Sequence, residues 1–283
     1  MVKFLICSDS DIPVEHIQEH GIDLLPLIVE IDDVEYRAYR DISGAEFRDR
    51  LLKSKAFPKT ATISIFEIAE KMREYIENGD ELIFITMTSK GSGTFNSARI
   101  AIEQLEEEYS HELAISVVDS KNFSIAYLHP VYDAAKMAAE GASRSSIVNY
   151  LESAYEKQHL ILIMPDLKYL WSGGRINLTS AVVGGVIGIV PILHCNDGAL
   201  EPLGKERGMG RALGATVRYM EEKCPSKKLG KAQIVHWNRE KEAEQLKGLI
   251  CSAFEVEEFL PAIHPEASVT AHAGVDFLAV AFS

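Results

Sequence analysis

The sequence predicts an α/β protein in two parts: an N-terminal three-layer α/β/α unit on a parallel sheet, and a C-terminal α+β unit with a mixed sheet. Three observations carry this expectation. Apolar runs alternate with capped helical patterns as far as residue 155, the pattern of strands joined by crossover helices. Beyond residue 158 an Asp-Gly hairpin turn and later strand-like runs break that alternation. Finally, 283 residues are long for one core and comfortable for two units of ordinary size.

Taken in order, Val2 to Cys7 reads as a buried strand, and Ser10-Asp11 with Pro13 opens a short helix that Gly21 stops. Leu24 to Ile31 reads as a second strand. Ser43 with Glu46, and Ser64 with Glu67, are Ser-x-x-Glu pairs ahead of apolar-periodic runs. Such a pair satisfies two orphan N–H groups reciprocally, so helices are expected at Gly44 to Lys53 and Ile65 to Glu77. A strand at Leu82 to Met87, a helix from Phe95 to Tyr109, a strand at Ala114 to Val118 and helices at Ser124 to Ala139 and Ser145 to Tyr155 complete the first unit, residues 1–157. In the second unit, 158–283, Gln158 to Met164 reads as a strand and Asp166 to Trp171 as a short helix. Ser172-Gly173-Gly174-Arg175 is a tight turn, followed by a glycine-bearing apolar helix from Thr179 to Gly188. Ile189 to Cys195 and Ala199 to Gly204 flank the hairpin turn Asn196-Asp197-Gly198. Helices at Gly210 to Lys223 and Glu240 to Ala253, with strands at Ala232 to His236, Ser268 to His272 and Phe277 to Phe282, finish the chain.

Composition narrows the function. Hydrophobic residues make up 47% and charged ones 25%, values of an ordinary globular protein. The net charge of -13 argues against nucleic acid or an anionic membrane as the main partner, because no basic field offsets phosphate repulsion. It also constrains an anionic ligand, which must be held by local donors. Cys7, Cys195, Cys224 and Cys251 show neither CxxC nor Cys/His metal spacing, so a cytoplasmic, reduced protein without a metal site is expected. The apolar start is too short for a signal peptide. The longest apolar stretch, Ala181 to Leu193, spans 13 residues with three glycines and a proline, which suits a buried element and not a stable membrane insertion.

The segment Thr88-Ser89-Lys90-Gly91-Ser92-Gly93-Thr94-Phe95 concentrates the chemistry. A strand that ends in small residues and hydroxyls and then opens a helix directs unpaired N–H groups and Ser/Thr side chains at one spot, which suits a carboxylate or phosphate. A plain helix cap at Ser92 or Thr94 fits the same pattern. Two further strand ends, Ser8-Asp9-Ser10 and Asp119-Ser120-Lys121, are also polar, and in parallel sheets ligands sit outside the carboxyl ends of the strands. Nucleotide loops are weakly supported: no GxxxxGK[ST] occurs and Gly91-Ser92-Gly93 lacks a third glycine. A serine hydrolase would use Ser92 and His272 with Asp9 or Asp119, but Ser92 is not in a GxSxG elbow. His16 and His20 share a helix face without an accompanying carboxylate motif. His272 ends an apolar strand-like run before Ala273-Gly274, where its ring could face a cleft.

Read together, these segments resemble the DegV family, the fatty-acid-binding subunits of bacterial fatty acid kinase. The resemblance spans essentially the whole chain. It rests on Ser8-Asp9-Ser10; Pro58-x-Thr60-x-x-x-Ser64; Ser89-Lys90-Gly91-Ser92-Gly93-Thr94-Phe95-x-Ser97-Ala98; and Val118-Asp119-Ser120-Lys121. It continues through Leu167-x-Tyr169-Leu170-x-x-Gly173-Gly174-Arg175-Ile176, Pro191-Ile192, Asp197-Gly198, Lys205-x-Arg207 and His272-x-Gly274. The resemblance implies a carrier without catalysis of its own. It would hold one long-chain fatty acid, palmitate for example, in an apolar tunnel with no cofactor, and present it to a separate kinase subunit for acyl-phosphate formation. It further implies that Thr60 and Ser92 contact the carboxylate, aided by Thr62, Ser64, Gly93 and Thr94, with His272 in the same network and Arg175 as a cationic neighbour. Arg207 would serve the kinase handover. The apolar segment Ala181 to Val190 is the candidate tunnel wall or an ordinary core helix. Two departures stand out. Ala61 replaces a hydroxyl of the usual Thr-Ser-x-Pro-Ser, and Asp276 brings a negative charge close to the head group, tolerable only if it points away or is neutralised. A divergent scaffold for another amphipathic carboxylate is the remaining alternative.

Overall fold

A computed structural model describes residues 1–176 and 188–283. The apolar helix expected from Thr179, and the candidate wall at Ala181 to Val190 apart from its last three residues, lie outside the described residues.

The chain begins β1 (Val2–Cys7), α1 (Val14–Glu19), β2 (Ile22–Leu25), β3 (Ile28–Ile31), β4 (Val34–Arg37), α2 (Gly44–Leu51), β5 (Lys59–Ala61) and α3 (Ile65–Asn78). It continues β6 (Glu81–Thr86), α4 (Thr94–Tyr109), β7 (Ile115–Asp119), α5 (Ile125–Ala139) and α6 (Arg144–Tyr155). Strands β2-β1-β6-β7 form one parallel sheet. Its two central strands are apolar from Phe4 to Cys7 and from Leu82 to Ile85 because both faces are covered there. Phe4, Ile6, Ile83 and Ile85 pack against Tyr127, Val131, Ile147 and Leu151 of α5 and α6. Leu5, Cys7, Leu82 and Phe84 pack against Met72, Ala98, Ala101 and Leu105 of α3 and α4.

The single strand expected at Leu24 to Ile31 is two strands in different sheets. Pro26, which cannot donate to a ladder, separates them. The second, β3, is the middle of a small antiparallel sheet ordered β4-β3-β5. Its β3–β4 turn is Asp32-Asp33, both in the left-handed region at φ 51° and 60°, as a tight hairpin of this type requires. The box at Ser43 forms in full. At Ser64 only half forms: the hydroxyl accepts from Glu67 N, while the Glu67 carboxylate pairs with Arg37 at 2.5 Å.

The remainder is β8 (His159–Ile163), α7 (Lys168–Ser172), β9 (Ile189–Asn196), β10 (Ala199–Arg207), α8 (Met209–Lys223), β11 (Lys228–Trp237), α9 (Glu240–Ala253), β12 (Glu255–Phe259), α10 (Ala267–Ala273) and β13 (Phe277–Phe282). These strands make a mixed sheet ordered β10-β9-β8-β13-β11-β12, antiparallel except for β11–β12. One face carries α8 and α9 through Ile161, Ile234, Leu278 and Val280. The other turns toward the first sheet, with Leu160, Leu162, Val235 and Ala279 meeting Ile125 and Ala126 of α5, Leu167 at the start of α7 and Leu170 within it.

The strand expected at Ser268 to His272 is a helix, α10. Its β-branched Val269 and Thr270 mimic a strand, but Ala267 and Ala271 lie one helical turn apart and pack together on Val29, Ile31 and Phe47. Thr270 Oγ1 receives the Trp237 indole N–H at 2.9 Å, and Ser268 Oγ lies 3.0 Å from Ser8 Oγ. Thus α10, from the end of the chain, is held between the small antiparallel sheet and the mixed sheet. Among the described residues no helix is long and apolar enough to cross a membrane.

Candidate ligand-binding site

The two large sheets leave a cavity between them at the carboxyl ends of β1 and β6, about 840 Å³ including its open mouth. Parallel strands make this position available because their last backbone groups and the following turns face one edge. The walls are apolar: Leu160, Leu162, Leu200, Val235, Phe277 and Ala279, with Met87 and Phe123. The polar lining includes Asp9, Thr60, Thr62, Ser92, Arg175 and His272, with Ser124 and Ser268 besides.

Thr60, on β5, reaches across to α10, where its Oγ1 lies 2.9 Å from His272 Nε2. Arg175 bridges the other way. Its Nε donates to Gly91 O at 3.0 Å and its Nη1 to Gly173 O at 2.6 Å, so the guanidinium ties the Ser92 turn to the α7 turn and keeps donors free for a ligand. Ser92 Oγ lies 3.0 Å from Thr94 Oγ1 and accepts from Thr94 N at 3.3 Å. It therefore braces the start of α4 while lining the cavity. Of the nine positions the resemblance implies, Thr60, Thr62, Ser92, Arg175 and His272 line the cavity. Thr94 is buried behind Ser92. Gly93 backs onto Thr62, where a methyl group would make an ordinary contact with the hydroxyl at 3.5 Å. Ser64 caps α3 outside the lining, and Arg207 is exposed at the end of β10.

Burial, reinforced by Arg175, holds the His272 pKa down to about 3. The ring is neutral, and its Nδ1 is buried without a hydrogen-bond partner. That ring fits only because residue 173 is glycine: a Cβ there would stand 2.3 Å from Nδ1. The same trick is repeated in reverse. A Cβ on Gly274, at φ 81°, would stand 2.4 Å from the Tyr169 ring. Two glycines each receive the other element's ring, locking α7 against α10, and this explains Gly173 and His272-x-Gly274 in packing terms.

Asp276 does not face the cavity. Arg239 grips it with two bonds, Nε to Oδ1 at 2.5 Å and Nη2 to Oδ2 at 2.6 Å, so its charge is neutralised as the departure required. Ser92 and His272 each bond a threonine, which leaves them without the nucleophile–base contact a hydrolase needs. Among the described residues no group of three or more His, Cys, Asp or Glu could hold a metal ion. In the sequence Asp9 stands out as part of a polar strand end and as one of two triad candidates, not as a lining group of a carboxylate site. It is 5% exposed, accepts from Tyr127 OH at 2.7 Å, and is pushed up to about 6 by burial, with Tyr127 and Arg175 pulling the other way. Its place in the same cavity as Arg175 depends on how the sheets assemble, which no local pattern discloses.

Known proteins share this architecture. A DegV domain-containing protein of Caldanaerobacter subterraneus subsp. tengcongensis is 31% identical over 284 residues, covering 100% of this chain and 99% of its own. DegV of Bacillus subtilis, described as a fatty acid binding protein, superposes with a TM-score of 0.84 at 26% identity, covering 99% of this chain and 98% of its own. A Thermotoga maritima protein whose structure is described as revealing fatty acid binding function also gives 0.84 at 26%, covering 100% of this chain and 98% of its own. The profile described as "uncharacterised protein, DegV family" matches residues 2–283. A match of that extent, over this fold and this cavity, means that the chain belongs to the DegV family.

Proposed function

We propose that the protein is a cytoplasmic fatty-acid carrier without catalysis of its own, whose units 1–157 and 158–283 close around a long-chain acid such as palmitate. One observation carries this reading: a cavity with apolar walls ends in a cluster of hydroxyls, a neutral imidazole and a guanidinium. Burying about 16 methylenes contributes roughly 13 kcal/mol before ordering costs. The head group then needs only to be satisfied, and Thr60, Ser92 and Arg175 supply donors where the net charge of -13 supplies no attraction. The solved relatives described as fatty-acid-binding support the same ligand class.

Native mass spectrometry of the purified protein, then denaturing extraction, is expected to release a fatty acid. A protein that carries none, and takes up none when palmitate is supplied, would refute the reading. In titrations, Thr60→Val with Ser92→Ala is expected to weaken palmitate binding about 10- to 100-fold, the worth of one or two hydrogen bonds to a charged group. The corresponding fatty alcohol should show a much smaller loss. We further propose that a separate kinase reads the loaded carrier through the exposed Arg207. Arg207→Ala should then abolish acyl-phosphate formation in a reconstituted mixture while leaving fatty-acid affinity unchanged; equal turnover would exclude the role.

A further inference from the structure

The cavity that is to receive a carboxylate already contains one. Asp9 lines it together with Ser92 and Arg175 and is almost wholly buried. Its side-chain partner is the Tyr127 hydroxyl, on Oδ1. Among the described residues lining the cavity, Arg175 is the one cation. Asp9, negative, and Arg175, positive, therefore balance each other, and an incoming carboxylate would leave a buried excess of one negative charge. Two carboxylates that share a desolvated site do not both stay ionised.

We propose that Asp9 is the proton acceptor of the site: a fatty carboxylate binds together with one proton, which Asp9 takes up, leaving the ligand anion opposite Arg175. This rests on the carrier reading above and adds the coupled ion. Fatty carboxylate and a solvent proton enter, no covalent bond of the ligand changes, and the buried end stays neutral. Asp9 is poised for it, since burial already holds its pKa at about 6.

The other groups around it do not compete. Cys7 on β1, Tyr127 on α5 and Tyr39 are pushed well above their ordinary range by burial and by carboxylate neighbours, so all three stay neutral. His272 on α10 is depressed to about 3 and neutral as well. Asp11 lies in the same turn, but its oxygens are engaged by Ser124 Oγ and Glu266 N, and it does not line the cavity.

The test is calorimetric titration of the delipidated full-length protein with laurate at pH 7, in buffers of differing ionisation enthalpy. Close to one proton taken up per laurate bound is expected. The apparent Kd should rise between pH 6.5 and 8, approaching tenfold per pH unit, because laurate itself ionises near the ordinary carboxylate range of about 4 to 5. Asp9→Asn should bind without proton uptake and with a flat pH profile. Binding by the wild type with no uptake and a flat profile overturns the proposal, as does uptake that survives in Asp9→Asn. The wild-type buffer series needs no variant and decides the matter even if Asp9→Asn fails to fold. Absence of any laurate binding overturns the carrier reading and the coupling with it.

Discussion

Replacing Gly173 by alanine is expected to cost about 1–3 kcal/mol of stability, the usual range for forcing an atom into a filled space, and to weaken fatty-acid binding more than tenfold. The new Cβ would lie 2.3 Å from His272 Nδ1 and 2.9 Å from Cε1. Neither partner has room to yield. His272 sits on α10, whose Ala267 and Ala271 are clamped in the core around Val29 and Phe47, and its Nε2 is tied to Thr60. Any shift that relieves the clash therefore moves Thr60, one of the hydroxyls proposed to hold the head group. The adjacent Gly174 is an internal control: it needs φ 71°, but a Cβ there meets nothing within 4 Å. Gly174→Ala should thus show only the strain of about 1–2 kcal/mol for a left-handed alanine, with much less effect on binding. The decisive comparison is Gly173→Ala combined with His272→Ala. If the ring is what the methyl collides with, the double variant recovers much of the stability lost by Gly173→Ala, and the coupling appears in a double-mutant cycle of urea midpoints. Strict additivity would sink the interlock.

That interlock marks the limit of what the chain discloses by itself. Local signals were readable because their causes are local. Ser43 and Glu46 form their box within one turn, Asp197-Gly198 makes the β9–β10 hairpin with φ 44° and 80°, and the doubly covered strands β1 and β6 carry the apolar runs Phe4 to Cys7 and Leu82 to Ile85. The small sheet leaves little trace in the sequence because β5 has three residues and β4 has no fully buried position, so neither shows the alternation of a half-buried strand. The α10 segment misled for a different reason. It is packed from several sides at once, which erases the one-sided periodicity that betrays a surface helix. Ser92, Thr60 and Arg175 could be proposed from motif order. Asp9 sharing a cavity with Arg175, and Gly173 under His272, depend on how distant segments come together and appear only when the two sheets close.

Acid should destabilise the protein well above the range in which surface carboxylates titrate. His129 is fully buried on α5, with Nε2 2.8 Å from Gln233 Oε1 and Nδ1 unpartnered, and burial lowers its pKa to about 4. His272 is lowered to about 3 by burial and then by Arg175. In the unfolded chain both titrate near the ordinary value of about 6.5. Between the two limits the unfolded state binds more protons, so the stability that rests on these neutral rings is complete above about pH 6.5 and is lost as pH falls. Asp9 works against this. Its native value of about 6 lies above the reference 3.8, so it binds its proton more readily when folded and returns some stability over the same interval. Asp11, also raised by burial, adds to that return. Each tenfold difference in proton affinity between the folded and unfolded chain is worth about 1.4 kcal/mol. On that scale the two histidines outweigh Asp9; the raised Asp11 and Glu266 return more, the lowered His159, His194 and His236 take away more, and a net loss of about 1–3 kcal/mol is expected between pH 6.5 and 4. Urea midpoints measured across that interval check it. His272→Gln keeps a hydrogen-bonding partner for Thr60 but cannot titrate, so its midpoint should fall less steeply with acid than that of the wild type. Parallel pH profiles for the two would mean that His272 is not the group being charged, and that the neutral ring beside Thr60 is not held by burial.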